Sequence, residues 1–132
     1  MLPAVAQSLT VLRPLQLDAA AAAYAALAAT PAAWRSTPAG RVSVAFGQTA
    51  AAKALFAIRP LALPPWDEPM RAALGLAGEA GYRDYLQLVA GALIGLSKRL
   101  GVPVAEVPAA LGRAGSTPPQ LVDEYLWMRS RR

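Results

Sequence analysis

The chain has no cysteine and no histidine. Their absence removes thiol nucleophiles, serine–histidine–aspartate relays, zinc fingers and most transition-metal sites. It also leaves no disulfide framework and no sign of a redox compartment. Acids are scarce, eight against thirteen basic residues, and only Asp67-Glu68 and Asp123-Glu124 adjoin. So scattered a set gives no evident cage for Mg²⁺ or Ca²⁺, and neither a metal nor a cofactor is expected. β-Branched and aromatic residues are sparse, which argues against an all-β protein. Long apolar runs are missing as well. The longest, "YLQLVAGALIGLS" (85–97), is too short to span a bilayer and has charges near both ends. The start "MLPAVAQSLTVLRP" has neither a basic leader nor an apolar stretch of signal-peptide length. The expectation is a soluble cytoplasmic protein with no membrane partner.

What is present is alanine and arginine. The 132 residues are 55% hydrophobic, enough for one domain with a core of its own. Much of that fraction is alanine, which favours helix and buries little area per residue. Net charge is +5, and eleven of the thirteen basic residues are arginine. Residues 1–66 carry five basic residues and one acid, Asp18, and the chain closes with "RSRR". The planar arginine fork can bond two phosphate oxygens at once. Charge alone leaves two readings open, a polyanion partner such as nucleic acid and a merely solvated basic surface.

Residues 1–17 hold two prolines and no clear period, and read as an irregular lead-in or a short helix. Asp18 suits the N-cap of a helix over about 19–29, with Tyr24 and Leu27 on one face. Thr30-Pro31 ends it and starts a short turn of helix containing Trp34, which Pro38 ends. "GRVSVAF" (40–46) alternates as a strand does. With no convincing partner strand, it reads as an extended loop or helix edge, a lone strand being the alternative. A helix over 48–58 follows Gly47, with Ala51, Leu55 and Ile58 inward and Lys53 outward. A short helix runs to Leu74 from Trp66, and Asp67 stands where its N-cap belongs.

The longest helix is predicted over 79–100, from Tyr82, Leu86, Val89, Leu93, Leu96 and Leu100. Gly91 and Gly95 form a GxxxG pair within it. Two mid-helix glycines cost roughly 1 kcal/mol each against alanine, so close approach of a helix, from this chain or a second copy, is expected there. A short helix over about 104–113 and a last one after Ser116-Thr117 complete the chain, with Asp123-Glu124 placed to help start the latter. Trp66, Trp127, Tyr82, Tyr85 and Tyr125 are expected to pack, with the tyrosine hydroxyls near the surface. The fold class read from all this is all-α: a single-domain orthogonal bundle of six or seven short helices over residues 1–132, with 129–132 a basic tail.

"FGQTAAAKALFAIRPLALPPWDEPMRAALG" (46–75) resembles the middle of the helix-hairpin-helix DNA glycosylase superfamily. In that family a glycine-containing hairpin binds backbone phosphate through main-chain N–H groups, and an aspartate opens a later helix. Here Gly47, the helix 48–58, "LALPPW", Asp67 and Arg71 follow in that order. "PPQLVDEYLWMRS" (118–130) is similar to the closing helix of some glycosylase-like proteins. The resemblance covers about 40–75 and 117–130. It implies phosphate contact by Gly47, Gln48 and Thr49 with Arg41, Arg59 and Arg71 nearby, and it makes Asp67 the one candidate catalytic group.

The departures bear on chemistry. A Leu-Pro-Gly-x-Gly hairpin would be expected, but "SVAFGQT" has one glycine. The Schiff-base lysine of bifunctional members would stand where Gln48 and Thr49 are, and Lys53 lies too far along the helix. Iron–sulfur cysteines are absent, and lyase chemistry is not expected. Three functions remain, in this order: a non-catalytic glycosylase-like domain that binds nucleic-acid backbone; a helical interaction or self-association module using Gly91 and Gly95; and a monofunctional glycosylase using Asp67.

Overall fold

The computed structural model describes residues 2–130. Six helices and one two-stranded antiparallel sheet follow a short 3₁₀ turn at Leu9–Val11: α1 (Pro14–Ala29), β1 (Pro31–Thr37), β2 (Gly40–Ala45), α2 (Gln48–Ile58), α3 (Glu68–Leu74), α4 (Gly78–Leu100), α5 (Val107–Ala110) and α6 (Pro118–Ser130). The fold is therefore mixed, and the all-α expectation is wrong. The segment read as a turn of helix around Trp34 is β1, and it supplies the partner that "GRVSVAF" lacked. Register runs from Pro31 opposite Ala45 to Thr37 opposite Gly40, so Pro38-Ala39 makes the connection. The physical reason for the error is exposure. Every strand residue except the half-buried Thr37 is solvent-exposed, so no hydrophobic alternation marks "PAAWRST" as a strand.

α1 begins four residues before Asp18. Pro14 occupies its first turn, where a missing N–H costs nothing. The Gln16 side chain accepts from the Arg13 N–H at 3.0 Å, which closes the helix start. Asp18 instead pairs with Arg83 of α4. The lead-in is more ordered than its prolines suggested, since Leu9 is buried and its N–H donates to the Leu61 carbonyl. α6 begins as expected beyond Thr117, whose hydroxyl and N–H exchange bonds with Gln120 at 3.3 Å each. Of the expected basic tail, Arg129 and Ser130 end α6, while residues 131–132 lie outside the described residues.

α4 is the central element. Its buried Tyr82, Tyr85, Leu86, Val89 and Leu93 lie on the helix that packs against α1 and α6, while α2 packs on α1. Ala20, Ala21, Ala51 and Ala52 are buried on α1 and α2, and such small side chains let helix axes approach. At the centre four aromatics stack: Tyr24 on Tyr82 at 4.2 Å, Trp66 on Tyr82 at 5.6 Å and Trp66 on Tyr85 at 5.3 Å between ring centroids. Trp66, Tyr82 and Tyr85 pack as expected, although the Tyr82 and Tyr85 hydroxyls do not reach the surface. Tyr125 and Trp127 are exposed.

The tight packing occurs at Gly81 instead, and against loop residues and not a helix: a Cβ there would stand 3.2 Å from the Leu76 carbonyl carbon and 3.4 Å from the Trp66 ring. Gly91 and Gly95 are exposed, with no atom within 4 Å of a Cβ at either. No partner within the described residues uses them. Among the same residues, no single helix is long and apolar enough to cross a membrane.

Candidate nucleic-acid interface

α2 opens at Gly47, whose φ of 87° and ψ of 167° lie in a region that side chains disfavour. Gly47 ties the chain back to α1 through its N–H to the Ala28 carbonyl at 3.0 Å. It offers no side chain to cap the helix, so the first-turn N–H groups of α2 have no cap acceptor from it. Gln48 is not free to swing. Its Oε1 accepts from the Tyr24 hydroxyl at 2.9 Å and from the Gly78 N–H at 3.0 Å, pinning α1, α2 and α4 together. Burial pushes the Tyr24 hydroxyl up to about 12, partly offset by the nearby Arg71 charge. It therefore remains a donor to Gln48 at neutral pH.

Arg71 reaches this terminus from α3. Its Nη1 donates to the Thr49 hydroxyl at 3.0 Å and to the Trp66 carbonyl at 3.1 Å. Its guanidinium carbon lies 5.6 Å from the Trp66 ring centre. A guanidinium has five N–H donors, and Nε and Nη2 find no acceptor among the described residues. An open cavity of about 390 Å³ adjoins it, lined by Gln48, Glu68, Arg71, Ala72 and Gly75 to Ala77. Glu68 is the acid on its wall, exposed at the first turn of α3. Gly47, Gln48, Thr49 and Arg71 thus gather on one face.

The other candidates make different contacts. Asp67 is the N-cap of α3, its Oδ1 accepting from the Met70 N–H at 3.1 Å. Arg41 sits on the hairpin with its guanidinium 5.3 Å over the Trp34 ring. Arg59 is at the far end of α2, about 15 Å of helix from Gln48. Two of its five N–H donors go to the Pro3 and Ile58 carbonyls, so it is set aside by its position and not by its bonding.

One group escaped the sequence reading. Asp123 is the sixth residue of α6, not part of its start, and its Oδ1 accepts from the Tyr85 hydroxyl at 3.1 Å. The same hydroxyl lies 3.4 Å from the Pro65 carbonyl. Burial drives the Asp123 carboxyl up to about 7; the Tyr85 bond opposes this, while the Asp67 and Glu124 charges reinforce it. Burial and then the Asp123 charge also raise Tyr85, beyond any physiological titration. Adjacency in sequence hid the different roles of Asp123 and Glu124, since Glu124 turns aside to pair with Arg113.

Among the described residues no group of His, Cys, Asp or Glu side chains is placed to hold a metal ion. Compared with known protein families, curated proteins and solved structures, the chain matches none.

Proposed function

We propose that this chain is a glycosylase-like domain that binds nucleic-acid backbone without removing a base. The observation that carries the reading is the meeting of an uncapped helix start with a half-used guanidinium. The α2 dipole and its first-turn N–H groups favour an anion there. Arg71, bonded to Thr49 in that turn, adds a fixed positive charge with donors to spare. Both edge a cavity that opens to solvent. Asp67 supports the non-catalytic form, because one of its oxygens is engaged in starting α3.

A labelled duplex titrated across a salt series tests this. Affinity falls steeply with salt for the wild type, and Arg71→Gln weakens binding while shrinking the log–log slope by about one. No binding at low salt would sink the proposal. Release of a damaged base by the wild type, abolished in a folded Asp67→Asn variant, would instead favour a monofunctional glycosylase.

A second reading rests on α4. Gly91 and Gly95 are exposed beside an apolar groove of about 540 Å³ whose walls include Ala92, Leu96, Leu121, Tyr125 and Met128. A helix from a second copy would find both close approach and apolar contact there. A dimer in sedimentation that Gly91→Leu converts to monomer would support this reading, and a monomeric wild type would remove it.

A further inference from the structure

The β1–β2 hairpin buries neither face, although a two-stranded ribbon on its own is marginally stable in water. It contributes nothing to the core and yet displays an indole, with Trp34 63% exposed. Register places Trp34 opposite Ser43 and Ser36 opposite Arg41. Alternation along each strand puts these four side chains on one face. On that face the Arg41 guanidinium stacks over the indole at 5.3 Å. The other face carries Arg35 opposite Val42.

Charge on the arm has one sign. Between Asp18 and Asp67 the chain holds four basic residues and no acid. Neither Arg35 nor Arg41 forms an ion pair among the described residues. An exposed aromatic plane with a stacked cation and neighbouring hydroxyls suits a flat, electron-rich ring borne on an anionic chain. A nucleobase on its phosphate backbone has that chemistry.

Position joins the arm to the proposed backbone site. The hairpin base is held by the Phe46 N–H on the Thr30 carbonyl at 2.8 Å, and β2 runs directly into Gly47 and α2. Ser43, opposite Trp34, is five residues from Gln48, about 17 Å of extended chain.

We infer that the hairpin is a nucleic-acid-binding arm on which Trp34, backed by Arg41, stacks an unpaired base of a strand whose phosphates are held at the α2 N-terminus. This rests on the backbone-binding reading above and adds to it a preference for single-stranded or locally unpaired nucleic acid.

The test compares a short labelled single strand, the blunt duplex of the same sequence, and phosphatidylserine–phosphatidylcholine vesicles. Wild type, Trp34→Ala, Trp34→Phe and Arg71→Gln are each titrated. Trp34→Ala lowers single-strand affinity about tenfold, Trp34→Phe recovers most of it, and duplex affinity with its salt slope stays unchanged in both. Melting temperatures match the wild type, because the indole packs on no core. In the wild type itself, adding the single strand shifts the Trp34 indole N–H resonance, which is identified by its loss in Trp34→Ala.

Equal single-strand binding by wild type and Trp34→Ala would overturn the arm alone, provided Arg71→Gln still weakens binding. A wild type that binds neither nucleic acid would overturn both proposals. Vesicle binding that depends on Trp34, without single-strand loss, would make the arm a lipid contact and equally overturn the inference.

Discussion

Two helices begin within reach of one another, and they begin differently. α3 starts at Asp67, which caps it with a carboxylate oxygen, and Glu68 adds a second negative charge in the first turn. α2 starts at Gly47 with no side-chain cap. Arg71 belongs to the first helix and serves the second, through its bond to Thr49. The capped terminus has its dipole answered by acidic side chains of the chain, whereas the open one has no such side chain at its N-cap. Adjacent helix starts can thus differ: one is closed by its own side chains, and the other has no side-chain cap.

The contrast can be broken most forcefully at Gly47. A Cβ there meets no atom within 4 Å, so Gly47→Ala tests backbone conformation alone. We expect a loss of about 2 kcal/mol in urea unfolding, the cost of an alanine held where only glycine is at ease. An unchanged midpoint would mean that the open terminus is not held by that turn.

A smaller effect follows on the electronegative side, where Asp67 helps to raise Asp123. The folded Asp123 carboxyl, near 7, titrates well above its unfolded value of 3.8. Its neutral form is the one that folding favours. That contribution is full below the unfolded value and is lost as pH rises through about 7. Relative to Asp123→Asn, the wild type should therefore lose about 1–2 kcal/mol between about pH 4 and 8, allowing for its partial exposure. A stability difference flat with pH would show that the carboxyl is not shifted.

The smallest effect is at the capped start itself. Asp67→Ala should cost about 1 kcal/mol in the same unfolding experiment, and Asp67→Asn only a few tenths, because an asparagine oxygen caps as well. Equal losses for both would show that the carboxylate charge, not the cap bond, is what matters there.

Legibility in sequence followed the kind of signal each element leaves. α2 and α4 were readable because burial on one face imposes a period on apolar residues, and the observed Gln48–Ile58 and Gly78–Leu100 match the expected bounds, although Ile58 and Leu100, expected on the buried faces, are exposed where each helix runs out past the core. Asp67 was readable because a cap is a side chain at a fixed place. α1 was misjudged because its start depends on Gln16 reaching back to Arg13, while Asp18, the more familiar cap, was drawn off by Arg83. The hairpin was missed because neither of its faces is buried. Glycine proved equally ambiguous. The GxxxG pair at Gly91 and Gly95 carries the recognisable spacing, yet the tight approach is at Gly81, against Leu76 and Trp66.

By itself, the amino-acid order determined the helices with a buried stripe, the cap before α3 and the excess of arginine, because each is a local or additive property of side chains. Only the tertiary structure decided that Arg71 meets the first turn of α2, that Asp123 meets Tyr85, and that Trp34 stands out on a ribbon. These depend on which distant segments come together, and pairings of that kind arise from packing and exclusion of water across the whole core, which no short window of residues contains.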